Sequence, residues 1–382
     1  MVSAIIVLVV AFRSLKNVPR QHSIIYTPNT YMFKRDIVSV IIKLLSFIFW
    51  MLHSTAVVVK TEYISLQMYK NLKISVVVPA YNEEKQIMKV IKSMPDYVDA
   101  IVIIDDCSKD KTSSVVEKSQ KKYPKVVLLK HQVNEGVGGA IATGYKWARD
   151  NDFDAAVVMA GDAQMDPLEL PVLIDPIAAD QTDYAKANRL IYKEFRDIIP
   201  KARLFGNAIL SFLTKIASGY WHVSDSQTGY TVVNKKVLHT INWDKMYKRY
   251  GQPNDLLVKL NVHNFRVKDI PTKPVYNVGE ESKLRIKKVL LPMSMLLLRL
   301  FFWRLKEKYI IRDFHPLILF YALGLLFGGL SVLFFIRLIY KWIAYGHVPE
   351  VTLLLLLFSF ATSVQSIFFA MFFDQENNKN LR

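Results

Sequence analysis

Two neighbouring stretches decide the fold. Residues 74–84 read ISVVVPAYNEE, and residues 100–106 read AIVIIDD. Each stretch opens with a run of β-branched residues that is typical of a buried strand, and each closes on polar side chains. Between them, residues 83–94 have the apolar spacing of a helix. A strand, a helix and a second strand in this order predict one unit of a parallel sheet.

The same alternation continues within the region 73–282. It predicts strands at 74–79, 100–105, 125–130 and 155–159, and helices at 83–94, 110–123, 136–151 and 167–177. We therefore predict an α/β fold with a doubly wound, mostly parallel sheet. Such a sheet binds its ligands at the carboxyl ends of its strands.

Polar clusters follow the first three predicted strands. In the first cluster, residues 79–84, Asn82 can cap the next helix. In the second, Asp105 and Asp106 point in different directions, so one can orient the loop while the other meets a base amide or a ribose hydroxyl. The third, NEGVGGA at 134–140, is rich in glycine. These glycines either admit a ligand close to a helix start or let the helix pack on the sheet.

The fourth predicted strand is followed by GDAQMD, residues 161–166. Residues i and i+2 of an extended segment share a face, so Asp162 and Gln164 can present oxygen atoms to one cation. Mg²⁺ and Mn²⁺ favour such ligands and keep open positions for substrate phosphates. Asp166 before Pro167 has the pattern of a helix cap. The expected cofactor is therefore Mg²⁺ or Mn²⁺.

The four clusters, in this order and spacing, resemble those of the family-two glycosyltransferases of the A-type (GT-A) fold, over about residues 73–285. Within that family the sequence looks most like polyprenyl-phosphate glycosyltransferases, such as dolichyl-phosphate mannose and glucose synthases. Many of these enzymes pair a cytoplasmic catalytic domain with C-terminal membrane helices. The resemblance implies a nucleoside diphosphate sugar as donor and a polyprenyl phosphate lipid as acceptor.

The resemblance also implies roles for matching positions. The residues that would bind the nucleotide sugar are Pro79, Tyr81, Glu83, Asp106, Gly138, Asp162 and Arg203. The metal would be held by Asp162 and Gln164, and the catalytic set would be Asp162, Arg189 and Asp255. The acceptor side would be formed by Asp225, Gln227 and Arg285. Among these, Arg189 would meet phosphate.

Two departures from the family pattern bear on this interpretation. Ala160 stands where the metal motif usually has a further aspartate, which predicts weaker metal binding and leaves an inactive homologue open. The Gln-x-x-Arg-Trp motif of processive polysaccharide synthases is missing, and the membrane part is too small for a channel. Synthesis of the cellulose or hyaluronan type is therefore not expected.

Two apolar segments near the end of the sequence predict membrane helices. Residues 316–336 and 351–373 contain no charged residue, and about 20 apolar residues span a bilayer as helix. With the short link 337–350 they predict a transmembrane hairpin within 313–382. A pair of buried helices in a soluble domain would show the same composition.

The region 283–312 sets the predicted orientation. It contains nine Lys or Arg residues and one acidic residue, Glu307. The positive-inside rule puts this side, and the domain before it, in the cytoplasm. Residues 287–311 mix leucines and aromatic residues with the cations, which predicts interfacial helices with basic side chains near the headgroups. We therefore expect an integral protein of the cell membrane or of an endoplasmic reticulum-type membrane.

The remaining features are less specific. In the N-terminal region 1–72, the apolar segment 37–59 is either a third spanning helix or an interfacial or re-entrant segment. The net charge of +17 favours anionic partners, and no motif indicates nucleic acid. A single cysteine, Cys107, rules out an internal disulfide. The hairpins of two copies can pack together or stand alone, so a homo-oligomer is left open.

The predicted reaction is inverting transfer of a sugar to a dolichyl or undecaprenyl phosphate at the cytoplasmic membrane face. A phosphate acceptor is already anionic and needs no strong base. A hydroxyl acceptor, on a lipid-linked sugar or a glycan, would instead need Asp255 or Asp225 as base. The same fold could also serve as a non-catalytic membrane scaffold. A nucleotidyltransferase is disfavoured because the first loop lacks the Gly, Arg and Lys of a phosphate loop.

Overall fold

The computed structural model describes residues 72–191, 201–273 and 286–382, and the side chains of 72–191, 208–273 and 291–382. The apolar segment 37–59, the start of the basic region and Arg285 lie outside the described residues. Within them, a sheet with its helices occupies 72–273, and long helices follow from 286. We call residues 72–191 and 201–273 the sheet module.

The sheet module contains one seven-stranded sheet. Its strands are β1 (Ile74–Ala80), β2 (Ala100–Asp105), β3 (Val126–Lys130), β4 (Ala155–Val158), β5 (Tyr184–Asn188), β6 (Thr231–Asn234) and β7 (Val267–Pro271). They lie in the order β3-β2-β1-β4-β6-β5-β7, and β6 runs antiparallel to both of its neighbours. The doubly wound, mostly parallel sheet and its first four strands are therefore confirmed. The sequence analysis did not predict the last three strands.

Seven helices connect the strands in the described part of the module. They are α1 (Ile87–Ser93), α2 (Thr112–Gln120), α3 (Val137–Asp150), α4 (Leu170–Ala178), α5 (Lys201–Ser218), α6 (Lys235–Thr240) and α7 (Gln252–Val262). The first four match predicted helices. The Asp166 cap is also confirmed, because its Oδ1 accepts the N–H of Leu168 at 2.9 Å before a 3₁₀ turn at Pro167–Glu169.

Helix α1 begins four residues later than predicted, and Asn82 does not cap it. Asn82 has a φ of 57°, in the left-handed region. Its Oδ1 accepts the N–H of Lys109 at 2.8 Å, so the side chain bonds to the loop after β2. The capping prediction was therefore wrong, because the side chain of Asn82 accepts a hydrogen bond from Lys109, which is distant in sequence.

Hydrophobic cores cover both faces of the sheet. In β1, Val76 and Val78 pack in one core and Val77 packs in the other, as expected for alternating strand residues. Helix α3 lies close to the second face. A Cβ on its Gly144 would lie 2.2 Å from Cγ1 of Val77. Close packing of this helix on the sheet is thus observed at Gly144, four residues beyond the glycine-rich segment 134–140.

Three long helices follow the sheet module. Helix α8 (Ile286–Lys306) leads through a π-helical turn, Glu307–Arg312, into α9 (Leu317–Tyr345) and α10 (Glu350–Asn377). Helices α9 and α10 pack as an antiparallel pair and are long and apolar enough to cross a membrane, with mean hydropathies of 2.3 and 2.0 in their most apolar windows. Their link is shorter than predicted, because α9 continues to Tyr345 and ends at Gly346, which has a φ of 69°.

The basic residues after the sheet module are divided between surface and interior. Helix α8 exposes the apolar side chains of Leu291, Met295 and Phe302 on one stripe, the pattern an interfacial helix presents. Arg304 and Lys308, however, are buried. The prediction that they reach lipid headgroups was wrong, because a carboxylate and amide groups distant in sequence pair with them inside the protein.

The two long helices touch through small residues, and this contact is testable. A Cβ on Gly324 would lie 2.7 Å from Cγ1 of Ile367, whereas a Cβ on Gly329 would meet nothing within 4 Å. We expect Gly324→Ala to destabilise the helix pair by about 1–3 kcal/mol through overpacking. Gly329→Ala is the matched control on the same helix. Thermal unfolding in detergent measures both, and equal midpoints for the two variants would contradict the observed contact.

Candidate active site

The sheet topology brings the predicted motifs to one edge. Strands β1, β2, β4 and β5 all end there, and β6, which runs in the opposite direction, begins there. The loops that meet at this edge are 79–84, 105–110, 159–166 and 188–190, together with the segment 224–230 that leads into β6. This is the position at which parallel α/β sheets bind ligands.

The loops after β1 and β2 are joined by hydrogen bonds. The N–H of Asn82 donates to Ser108 Oγ and the N–H of Glu83 donates to Thr112 Oγ1, both at 2.9 Å. Tyr81, between Pro79 and these residues, keeps 36% of its surface exposed. The predicted nucleotide-binding residues of the first loop therefore lie together, with the tyrosine ring available to a ligand.

Asp106 orders the loop after β3. Its Oδ1 accepts the N–H of Glu135 at 2.8 Å, and its Oδ2 accepts the N–H of Gly136 at 2.7 Å. The ring Nδ1 of His131 lies 2.8 Å from Oδ1. The carboxylate is buried, and its adjacent Asp105 bonds to the backbone of Ser108. Both carboxylates thus hold loops, and the contact of Asp106 with a nucleotide stays a prediction.

Gly138 makes close contact with the protein's own chain. Its N–H donates to the carbonyl of Lys248 at 3.0 Å, and a Cβ there would lie 2.1 Å from the carbonyl oxygen of Tyr247. The neighbouring Arg249 donates to Oδ1 of Asn134 at 2.9 Å. The sequence analysis missed this basic segment beside the third loop, although two adjacent cations between two tyrosines were a signal.

The predicted metal ligands lie in a tight turn. Oδ1 of Asp162 accepts the N–H of Gln164 at 3.1 Å, and Ala163 between them has a φ of 60°. A Cβ on Gly161 would lie 3.2 Å from the carbonyl oxygen of Pro79, so this turn rests on the first loop. Asp162 is therefore held beside the predicted nucleotide-binding residues.

The oxygen donors of this turn suit Mg²⁺ or Mn²⁺. Among the described residues, no three His, Cys, Asp or Glu side chains lie close enough together to hold a metal by themselves. A site built on one carboxylate, Asp162, and one amide oxygen, Gln164, leaves most coordination positions to other ligands. Diphosphate oxygens are ligands of that kind.

Arg189 and Asp225 form a bidentate pair at the same edge. Arg189 donates from Nε to Oδ2 of Asp225 at 2.8 Å and from its terminal nitrogen to Oδ1 at 3.1 Å. The carboxylate is 1% exposed and the guanidinium side chain 23% exposed. Burial opposes ionisation of Asp225, but the hydrogen bonds and charge of Arg189 outweigh it and lower the pKa of this carboxyl. The result is a fixed cation at the surface of the site.

A second buried cation, Lys186, lies behind this pair. Its ammonium donates to the backbone carbonyl of Asp225 and lies 3.9 Å from Oδ1 of Asp269. Burial lowers the pKa of Lys186, while the two acidic residues act in the opposite direction. The sequence analysis missed Lys186 and Asp269. Polar residues within the short strands β5 and β7 were the available signal.

Gln227, predicted for the acceptor side, and Asp255, predicted for the catalytic set, lie in two different places. Gln227 lies in the same loop as Asp225, and its Nε2 donates to Oδ1 of Asn254 at 3.3 Å. Asp255, on helix α7, accepts from the backbone of Tyr247 at 2.8 Å and from Nζ of Lys259 at 2.6 Å. Its side chain is 5% exposed. The structure thus places Asp255 in a buried ion pair.

The predicted acceptor-side loop, residues 224–230, also touches the turn of the predicted metal ligands, residues 161–166. The hydroxyl of Tyr230 donates to the carbonyl of Asp166 at 2.9 Å, and a Cβ on Gly229 would lie 3.5 Å from Cε of Met165. The two halves of the site are therefore in direct contact. The described part of α5 does not include the side chain of Arg203, and Arg285 lies outside the described residues.

This chain is similar to solved structures and to sequence relatives. Among solved structures, glucosyl-3-phosphoglycerate synthase from Mycobacterium tuberculosis, in complex with Mn²⁺ and uridine diphosphate, is similar at a TM-score of 0.46 and 19% identity, over 62% of this chain and 81% of that one.

Sequence relatives are more informative. A UDP-N-acetylglucosamine–dolichyl-phosphate N-acetylglucosaminyltransferase of Methanococcus voltae is 33% identical over 53% of this chain and 86% of its own. A dolichyl-phosphate β-glucosyltransferase of Trichomonas vaginalis is 27% identical, over 56% and 68%. An undecaprenyl-phosphate mannosyltransferase of Micrococcus luteus is 24% identical, over 56% and 88%.

The family model of glycosyl transferase family 2 matches residues 75–241. This range contains the four polar clusters and the Arg189–Asp225 pair. The relative from Methanococcus voltae exceeds 30% identity over most of its own length. The chain therefore belongs to glycosyl transferase family 2, and it is a glycosyltransferase.

Proposed function

We propose that this glycosyltransferase moves a sugar from a nucleoside diphosphate sugar to a polyprenyl phosphate, with inversion of the anomeric centre. The observation that carries the proposal is the Arg189–Asp225 pair, a fixed cation held at the edge where the Asp162 turn meets the acceptor-side loop. The names of the three sequence relatives support it, because each specifies a polyprenyl phosphate.

The environments of Asp225 and Asp255, the two predicted bases, favour a phosphate acceptor. A hydroxyl acceptor needs a base whose pKa lies near the working pH. The pKa of Asp225 is lowered by Arg189, which makes it a weak base. Asp255 is buried and paired with Lys259. A phosphate monoester is anionic near neutral pH and attacks without help from either carboxylate.

In the proposed step, an oxygen of the lipid phosphate forms a bond to the anomeric carbon. The bond from that carbon to the diphosphate oxygen breaks, and its electron pair goes to the departing nucleoside diphosphate. Arg189 faces this developing charge, and its fixed geometry avoids reorganisation during the step. Asp162 and Gln164 would hold Mg²⁺ or Mn²⁺, which when bound supplies further charge neutralisation.

We further propose that α9 and α10 span the membrane and that the sheet module faces the cytoplasm. The length and hydropathy of the two helices support spanning, and the excess of Lys and Arg in 283–312 supports the orientation. The proposed division is an N-terminal region to 72, a transferase domain at 73–282, interfacial helices at 283–312 and the hairpin at 313–382. A homo-oligomer through the hairpin stays an open proposal.

The test is transfer of labelled sugar into organic solvent. Membranes containing the protein are incubated with Mg²⁺ or Mn²⁺, a polyprenyl phosphate and a panel of labelled nucleotide sugars that includes UDP-N-acetylglucosamine. We expect one donor to yield a labelled lipid. Mild acid should hydrolyse this lipid, because it should be a glycosyl phosphate. Label that enters a glycan or a lipid-linked sugar instead would show a hydroxyl acceptor and contradict the proposal.

A further inference from the structure

A buried polar cluster lies where the long helices meet the sheet module. It consists of Arg304 on α8, Lys308 and Tyr309 on the π-helical turn, and Asp374 and Asn378 at the end of α10 and just beyond it, and we call it the junction cluster. Arg304 donates to Oδ1 and Oδ2 of Asp374 at 2.7 and 3.0 Å, and both side chains are fully buried. The hydroxyl of Tyr309 donates to Oδ1 of Asp374 at 2.6 Å.

Arg304 also holds the end of helix α5. It donates from Nε to the carbonyl of Ala217 at 2.8 Å and from a terminal nitrogen to that of Ile216 at 3.0 Å. These are carbonyls of the last turn of α5, which have no partner within the helix. Gly219 follows with a φ of 78°, and a Cβ there would lie 2.4 Å from Arg304. Glycine is therefore required for the approach of the guanidinium.

The cluster joins the sheet module at two more places. Nζ of Lys308 donates to the carbonyl of Asn261, at the end of α7, at 2.9 Å, and to Oδ1 of Asn378 at 2.7 Å. Nε1 of Trp221 donates to Asp374 at 3.3 Å. Beyond α10, Leu381 packs against the second core of the sheet. The end of the hairpin is thus fixed to the sheet module from several directions.

Helix α5 leads from the junction cluster to the acceptor side of the site. Oγ of Ser211 lies 3.3 Å from Oγ of Ser226, the residue after Asp225. Thr214 donates to Oδ1 of Asn254 at 3.0 Å, and Asn254 also accepts from Gln227. The acceptor-side loop therefore rests on the helix whose far end the cluster holds.

We propose that Arg304 and Asp374 are positioning residues for the lipid acceptor. They fix the acceptor-side loop relative to the hairpin, so that a phosphate at headgroup depth meets the anomeric carbon. A buried ion pair adds little net stability, and in some proteins it specifies one arrangement of the groups around it. Displacement of reacting groups by about 1 Å costs as much as about 100-fold in rate. The inference rests on the proposed function, because it requires an acceptor held in the bilayer.

The experiment compares two acceptors with the full chain in phosphatidylcholine–phosphatidylglycerol vesicles. One is a long polyprenyl phosphate in the bilayer, and the other is a short, water-soluble isoprenyl phosphate. For Asp374→Asn and Arg304→Lys we expect kcat/KM with the long acceptor to fall about tenfold or more. With the short acceptor, and for the KM of the donor, we expect changes below about twofold. Glu376→Gln, which removes an exposed ion pair two residues from Asp374, is the matched control.

A double variant separates positioning from folding. Arg304→Met with Asp374→Leu removes both charges, so neither is left buried and unpaired. The same selective loss with the long acceptor supports positioning. An equal loss with both acceptors, or no loss with either, overturns it.

A second measurement does not depend on the reaction. One spin label is attached to Cys107, the only cysteine in the sequence, and a second is attached in the variant His347→Cys, at an exposed position. The two labels report the distance between the site and the hairpin link. We expect a broader distance distribution in Asp374→Asn than in the wild type, and an unchanged distribution would overturn the proposal. If the wild type labels neither acceptor, the proposed function fails, and this distribution alone decides the role of the cluster.

Discussion

Asp162→Ala is expected to lower kcat by about 10²–10³-fold, the usual cost of removing one group that stabilises a developing charge. Asp162 is the carboxylate among the predicted metal ligands, and its turn rests on the loop of Pro79. Because the only other predicted ligand is the amide of Gln164, loss of this carboxylate should remove most of the metal affinity. Lipid-extractable label, measured over a range of Mn²⁺ concentrations, checks the expectation.

The matched control for this variant is Asp166→Ala. Asp166 lies in the same segment and caps a 3₁₀ turn through the N–H of Leu168, so its loss should lower stability by about 1 kcal/mol and leave the metal requirement unchanged. Asp162→Asn keeps the shape of the side chain and should need more Mn²⁺ than the wild type for half-maximal rate. An Asp162→Ala enzyme with wild-type rate and metal requirement would show that the turn is not the metal site.

Arg189→Ala is expected to lower kcat/KM by about 10²–10³-fold, for the same electrostatic reason. Arg189→Lys should restore little of this, because an ammonium cannot make the bidentate contact that the guanidinium makes with Asp225. Donor binding, measured separately, should weaken much less than the rate. Full rescue by lysine would mean that only a diffuse positive charge is needed at this position.

The same pair predicts a pH dependence of stability. Because the pKa of Asp225 is lowered in the folded protein, its contribution to stability is fully present above the unfolded-state value of about 3.9. It is lost as the pH falls through the lower, folded-state pKa. Unfolding of the wild type and of Asp225→Asn in detergent should therefore differ by a constant amount from neutral pH down to about 5, and by less in stronger acid. A difference that already shrinks near neutral pH would contradict the lowered pKa.

The first half of the sheet could be predicted because each strand shows its own signal. Strands β1, β2 and β4 are short apolar runs that end in turn residues or carboxylates, and a buried parallel strand is expected to look like this. Strands β5 and β7 carry Lys186 and Asp269, which pair with partners from other elements. A strand that buries charged residues in this way has no apolar signature, so the sequence did not predict it.

The sequence predicted where the polar residues of the site lie, but it did not predict their hydrogen-bond partners. The sequence placed Asp106 and Asp162 at strand ends, where the structure has them. It did not predict that both carboxylate oxygens of Asp106 accept hydrogen bonds from the loop after β3, because hydrogen bonds between loops depend on the tertiary arrangement. The bidentate contact of Arg189 with Asp225 joins residues 36 positions apart and was not visible for the same reason.

The basic region shows the limit of composition most clearly. A cation beside apolar residues is expected to reach headgroups when its region carries a large excess of positive charge. The partner of Arg304 is 70 residues away, at the end of the second long helix. The orientation of the region stays a prediction, whereas charge counting gave the wrong environment for Arg304 and Lys308.

The junction cluster also sets an order for biosynthesis. Arg304 is made together with the sheet module, but Asp374 emerges from the ribosome only after both long helices have been translated. Until then, the guanidinium of Arg304, which binds the last carbonyls of α5, lacks its counterion Asp374. We expect released chains that end before residue 374 to be more sensitive to protease at the α5–α8 contact than the full chain. If α9 and α10 span the membrane as proposed, completion of the junction cluster would coincide with insertion of the hairpin.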